Sequence, residues 1–106
     1  MFFEFRHYTC KPGQRDAWAK YMEDVVIPFQ VSKGMVILGT FTGEEDDTSY
    51  YWIRRFKDEA ERKAQYEAVY QSDEWRNEIG PKVPDMIDRE AIKVTRLLAT
   101  PKSAIQ

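Results

Sequence analysis

Three features of the 106-residue sequence predict an α+β fold built on one antiparallel four-stranded sheet. Four short runs are rich in alternating, β-branched or aromatic residues, as strands are. Longer stretches with apolar residues at helical spacing lie between the first and second runs and between the third and fourth. Glycine, proline and acidic turns punctuate the junctions, so the order is β-α-β followed by a second β-α-β. Two such halves make the ferredoxin-like βαββαβ plan, with both helical segments on one face of the sheet.

The first strand runs from Phe2 to Cys10. Alternation places Phe3, Phe5, His7 and Thr9 on one face and Phe2, Glu4, Arg6, Tyr8 and Cys10 on the other. Lys11-Pro12-Gly13 ends it, because proline removes a donor and glycine opens turn conformations. A helix is predicted over Gln14–Gln30, where Trp18, Met22, Val25, Val26 and Phe29 form one apolar stripe. Pro28 deletes the bond to Asp24 and is expected to kink or finish that helix, with Gly34 closing the segment. Met35 to Thr42 reads as the second strand, and Gly43-Glu44-Glu45-Asp46-Asp47 as a solvated hairpin tip. A calcium loop would need alternating oxygens around a central glycine, which this run lacks.

The third strand, Tyr50 to Phe56, is the densest aromatic stretch of the chain. After it, Asp58 with Glu61 forms a variant capping box for a helix reaching about Tyr70. Ser72-Asp73-Glu74-Trp75 reads as a second helix start that stops at Gly80-Pro81, with a further turn between Val83 and Arg89. Ile92 to Leu98 makes the last strand. Residues 1–99 therefore form a single domain, and Thr100 to Gln106 reads as a loose C-terminal tail. Because the plan leaves one sheet face bare, two copies are expected to pair those faces as a homodimer, closing an eight-stranded barrel.

Composition excludes several classes. Sixteen basic residues against eighteen acidic ones give a net charge of −2 with the signs interspersed, so neither nucleic acid nor an anionic membrane is an expected partner. Apolar runs are only a few residues long, which predicts no signal peptide, transit peptide or membrane span. The single cysteine, Cys10, suits a reducing cytoplasm. One histidine and one cysteine cannot build a common zinc set, and no glycine-rich phosphate loop or serine elbow is present. No metal or cofactor is implied.

The constellation with chemical potential is Glu4, Arg6 and Tyr8 on the first strand beside Trp52, Arg54 and Arg55 on the third. In this plan the two strands are central neighbours. An arginine fork matches a carboxylate or phosphate edge, tyrosine supplies a phenol, and tryptophan a flat apolar wall, so the set would suit a small planar acid. The alternative is structural: Glu4 pairs with one arginine and the rest pack in the core or a dimer interface. Arg54 and Arg55 must point to opposite faces, and register decides which meets the helices. His7 reads as a structural histidine or, less simply, a general base, and Cys10 as a small strand-end residue. Trp18, Met22 and Phe29 read as core between helix and sheet or as the lining of a cavity there.

Several phrases resemble the NIPSNAP family. They are Phe5-Arg6-His7-Tyr8 leading to Lys11-Pro12-Gly13, Val26-Ile27-Pro28, Trp52-Ile53-Arg54-Arg55-Phe56 with Asp58-Glu59-Ala60-Glu61-Arg62, Tyr66-Glu67-Ala68-Val69-Tyr70, Ser72-Asp73-Glu74-Trp75 and Ile79-Gly80-Pro81. The resemblance implies a dimeric α/β barrel of the short, stand-alone bacterial type. It implies no reaction, because the family as a whole has none established. Three functions are therefore expected to compete: small-molecule binding in the cleft, cofactor-independent oxygenation by analogy of fold, or a purely structural homodimer.

Overall fold

The computed structural model describes all residues, 1–106. Its sheet has the order β2-β3-β1-β4, formed by β1 (Phe2–Thr9), β2 (Val36–Thr42), β3 (Ser49–Phe56) and β4 (Lys93–Leu97), and every neighbouring pair is antiparallel. The predicted α+β class and four-stranded antiparallel sheet are what the chain forms. Register sets Glu4 opposite Arg54, Arg6 opposite Trp52 and Tyr8 opposite Tyr50, so these six side chains share one face. Phe3, His7, Tyr51 and Arg55 share the other.

The first helical segment comprises α1 (Arg15–Tyr21), a π-turn (Met22–Val26) and α2 (Ile27–Ser32), two residues past the predicted end at Gln30, and Pro28 alters its winding without finishing it. The reason is in the backbone. Pro28 has no N–H and its ring would strike the carbonyl four residues back. Widening the preceding turn relieves that clash, and the Ile27 N–H bonds to Met22 O, five residues behind. Gly34, with φ of 97°, then turns the chain toward β2.

The second half repeats the device. The helix α3 (Glu59–Tyr70) is capped by Asp58, whose side chain accepts from the Glu61 N–H at 2.8 Å, as its capping box predicts. Ser72 Oγ accepts from the Trp75 N–H at 3.2 Å. The path that begins there does not stop at Gly80-Pro81: a π-turn (Trp75–Ile79) and a 3-10 turn (Gly80–Lys82) carry it into α4 (Val83–Met86). The Gly80 N–H reaches back five residues to Trp75 O, immediately before Pro81. A β-carbon on Gly80 would lie 2.8 Å from the Trp75 indole nitrogen and 2.9 Å from its carbonyl, so the tight packing needs glycine. Tyr21 Oη donates to Ile79 O at 2.9 Å and joins the end of α1 to the second π-turn across the fold.

The main core lies between the sheet and the helices and includes Tyr8, Trp18, Met22, Val26, Tyr50, Trp52, Ile79, Val83 and Ile87. A second cluster holds Phe2, Met35, Phe56 and Val69. Thr100 to Gln106 forms no helix or strand and lies near the open face of the sheet. Arg55 Nη1 donates to Gln106 O at 2.8 Å, and Leu98 and Ile105 border a hollow against Phe3 and Ile53 on the open face. No helix is long and apolar enough to cross a membrane.

Candidate functional site

The helix-side face of the sheet carries one carboxylate among three guanidinium groups. Glu4 is 1% exposed, and Arg54 is fully buried beside it, donating through Nη2 at 2.7 Å and Nε at 3.2 Å to Glu4 Oε1. The register of β1 and β3 makes them direct cross-strand partners, which is why the pair forms. The remaining Arg54 donors go to Gln30 Oε1 at 3.2 Å, Tyr70 Oη at 2.9 Å and the Tyr66 hydroxyl. Arg62 Nε bonds Glu4 Oε2 at 2.8 Å and is shared with Glu59. Tyr66 Oη lies 2.8 Å from both Glu4 oxygens and donates to that carboxylate.

Electrostatics follow from this crowding. Burial pushes Glu4 upward, but the Arg54 charge and the bonds from Arg62, Tyr66 and Arg54 outweigh it and hold the carboxyl down at about 2. Burial pushes the Tyr66 phenol up to about 12, despite the two arginines beside it. Burial disfavours the Arg54 charge, and its partners more than offset that, so it remains a cation.

Arg6 is held differently. Its Nη1 reaches Glu4 Oε1 only at 3.4 Å, while Nε donates to Tyr8 Oη at 3.2 Å and Nη1 to Tyr66 Oη at 3.3 Å. Its guanidinium lies 5.7 Å from the Trp52 ring centroid and 5.6 Å from that of Tyr8. Glu4 is held more closely by Arg54 at 2.7 Å and Arg62 at 2.8 Å, so Arg6 has only the longest of three shares in one carboxylate. It borders a cavity of about 200 Å³ between sheet and helices.

That cavity is walled by Tyr8, Trp18, Met22, Val26, Trp52 and Trp75, with Gln30, Tyr66, Tyr70 and Arg89 also on its surface. Both π-turns contribute to the wall, through Met22 and Val26 on one side and Trp75 on the other. The indole N–H groups of Trp18 and Trp52 are buried without a hydrogen-bond partner.

Of the sequence-predicted site residues, Arg6, Tyr8 and Trp52 border the cavity together. Glu4 and Arg54 lie behind it as a buried ion pair. Arg55 is not with them, since the pleat sends it to the opposite face, against the tail. His7 is on that face too, stacked on Tyr51 with centroids 4.4 Å apart and Nε2 3.0 Å from Ser49 Oγ. Cys10 is buried, and burial pushes its thiol up to about 11 although the Arg15 charge opposes the shift. Sequence reasoning missed Gln30, Arg62, Tyr66, Tyr70 and Arg89. Tyr66 and Tyr70 had a signal, an aromatic pair four residues apart on one helix face.

The fold recurs in solved structures. A NIPSNAP family protein with unknown function from Agrobacterium tumefaciens superposes with a TM-score of 0.89 at 24% identity, covering 100% of this chain and 94% of that one. An uncharacterized NIPSNAP domain protein from Burkholderia xenovorans gives 0.84 at 18% identity, covering 97% and 98%. A putative antibiotic biosynthesis monooxygenase from Nitrosomonas europaea gives 0.68 at 12% identity, covering 93% and 98%. Comparison with curated proteins finds no match. The NIPSNAP family model matches residues 3–102, nearly the whole chain, and the protein belongs to the NIPSNAP family.

Proposed function

We propose that the protein binds a small acidic, single-ring aromatic molecule in the cavity between sheet and helices, with its acid group on Arg6. The observation that carries this reading is a cation that borders an otherwise mainly apolar cavity and reaches its one carboxylate, the shared Glu4, only at 3.4 Å. Glu4 is committed to Arg54 and Arg62, and the tyrosines beside Arg6 are neutral. A cavity of about 150 Å³ accepts benzene, so about 200 Å³ suits one ring with a carboxyl. Aromatic walls then supply stacking area while the guanidinium supplies orientation.

The test is a thermal-shift series with single-ring carboxylates, run on wild type and Arg6→Gln. Saturable stabilisation of the wild type that disappears in a variant still folded supports the reading. Equal shifts in both proteins, or none in either, refute it. A second reading, cofactor-independent oxygenation, takes support from the shared fold of the putative Nitrosomonas monooxygenase. It requires oxygen consumption with an electron-rich phenol above the buffer rate.

The chain further reads as a cytoplasmic homodimer. Phe41, 54% exposed, and Leu97, 43% exposed, lie on the open sheet face, where a second copy would cover them. The free, buried thiol of Cys10 suits a reducing compartment. Native mass spectrometry of gently purified protein reports subunit count and retained ligand together, and a monomer would remove the barrel from the account.

A further inference from the structure

Two charged side chains border the cavity, and both are arginines. Arg6, with its side chain 12% exposed, forms the floor. Arg89 is exposed and stands at the rim, at the start of the 3-10 turn Arg89–Ala91 that leads into β4. This turn is anchored. The Asp88 N–H bonds Thr9 O at 2.9 Å, and Ile87 bridges to Cys10, so the segment is tied to the end of β1. Asp88 Oδ1 accepts from the Glu90 N–H at 3.1 Å, which turns the adjacent carboxylate toward backbone rather than toward Arg89. Arg89 has no ion pair or side-chain hydrogen bond, and aromatic side chains wall the space it shares with Arg6.

The geometry points to a ligand with two acidic groups on a small aromatic body, the inner group taken by Arg6 and the outer by Arg89. This rests on the cavity being a ligand site, as proposed above. The two arginines have different roles. The floor guanidinium is desolvated, so it sets whether an acid binds at all. The rim guanidinium stays wet, so its contribution is modest, salt-sensitive and specific to the second acid. A monoacid would leave Arg89 in water and lose only that increment.

Isothermal titration of the full chain with benzoate and with terephthalate separates the two claims. Terephthalate is expected to bind wild type roughly 5-fold more tightly than benzoate, the upper range for an exposed ion pair. In Arg89→Gln the advantage should vanish while benzoate affinity is unchanged, and in Arg6→Gln both ligands should weaken at least about 10-fold. Raising the salt should shrink the difference between the ligands. Equal binding of both acids to wild type, or an equal loss of both in Arg89→Gln, overturns the diacid inference and leaves the cavity reading standing. Failure of both acids to bind wild type overturns both.

Discussion

Arg54 and Arg55 are consecutive residues of the same type on one strand, and the sheet gives them opposite surroundings. Arg54 faces the helices, is fully buried, and has all its bonding capacity taken up by Glu4, Gln30, Tyr66 and Tyr70. Arg55 faces the open side and makes one hydrogen bond, to the carbonyl of Gln106. The difference shows that the helix-side face is organised by a charge network and the open face by aromatic packing. On the open face Phe5 and His7 pack on Tyr51 and the tail lies over Phe3 and Ile53. The cavity on the first face is bordered by two cations, Arg6 and Arg89, whereas the hollow on the open face has none.

The largest effect should come from Arg54. Arg54→Ala strips Glu4 of its closest cation and removes the Arg54 donors to Gln30 Oε1 and Tyr70 Oη, so urea unfolding should lose about 3–5 kcal/mol. Glu4→Gln should cost a similar amount, because Arg54 and Arg6 then lose their carboxylate and only Arg62 keeps one, Glu59. A loss under about 1 kcal/mol from either would break the contrast between faces.

Acid should reveal the same network. Glu4 drops from its ordinary 4.5 to about 2 in the folded chain. A depressed carboxyl stabilises fully above its unfolded value, and that stability fades as pH falls from about 4.5 toward 2. The shift amounts to a loss on the order of 3 kcal/mol, measurable as a falling urea midpoint. In Glu4→Gln this component should be absent, whatever other carboxylates contribute.

Smaller effects belong to the open face. Ser49→Ala removes the partner of His7 and should cost about 0.5–1.5 kcal/mol in the same urea assay. Arg55→Gln should change stability by less than about 0.5 kcal/mol, since the side chain is partly wet and makes one contact. If Arg55→Gln cost as much as Arg54→Ala, the tail would be a structural element of the first rank and the two faces would be alike.

Much of this was readable in the residues. Alternation in Phe2 to Cys10 identifies Glu4, Arg6 and Tyr8 as one face, and they do share one. Consecutive arginines on a strand must split between faces, and they do. Which one meets the helices depends on pairing with β1, a long-range property that no local pattern contains. The convergence of Gln30, Arg62, Tyr66 and Tyr70 on the two central strands is tertiary in the same sense. Pro81 misled for a physical reason: proline forbids the bond four residues back, which reads as a stop, but a wider turn makes the five-residue bond instead, and the same device carries the first helix through Pro28. That two π-turns stand two residues before corresponding prolines in the two halves, and both wall the cavity, was visible only once the helices were folded.

The central claim, that Arg6 receives an acid in the cavity, is tested most directly by tryptophan fluorescence, because Trp18, Trp52 and Trp75 all border the space. Titrating benzoate into wild type and Arg6→Gln, with circular dichroism to verify that both are folded, should give a saturable change in wild type only. A saturable change of equal midpoint in the variant, or none in wild type, would contradict it.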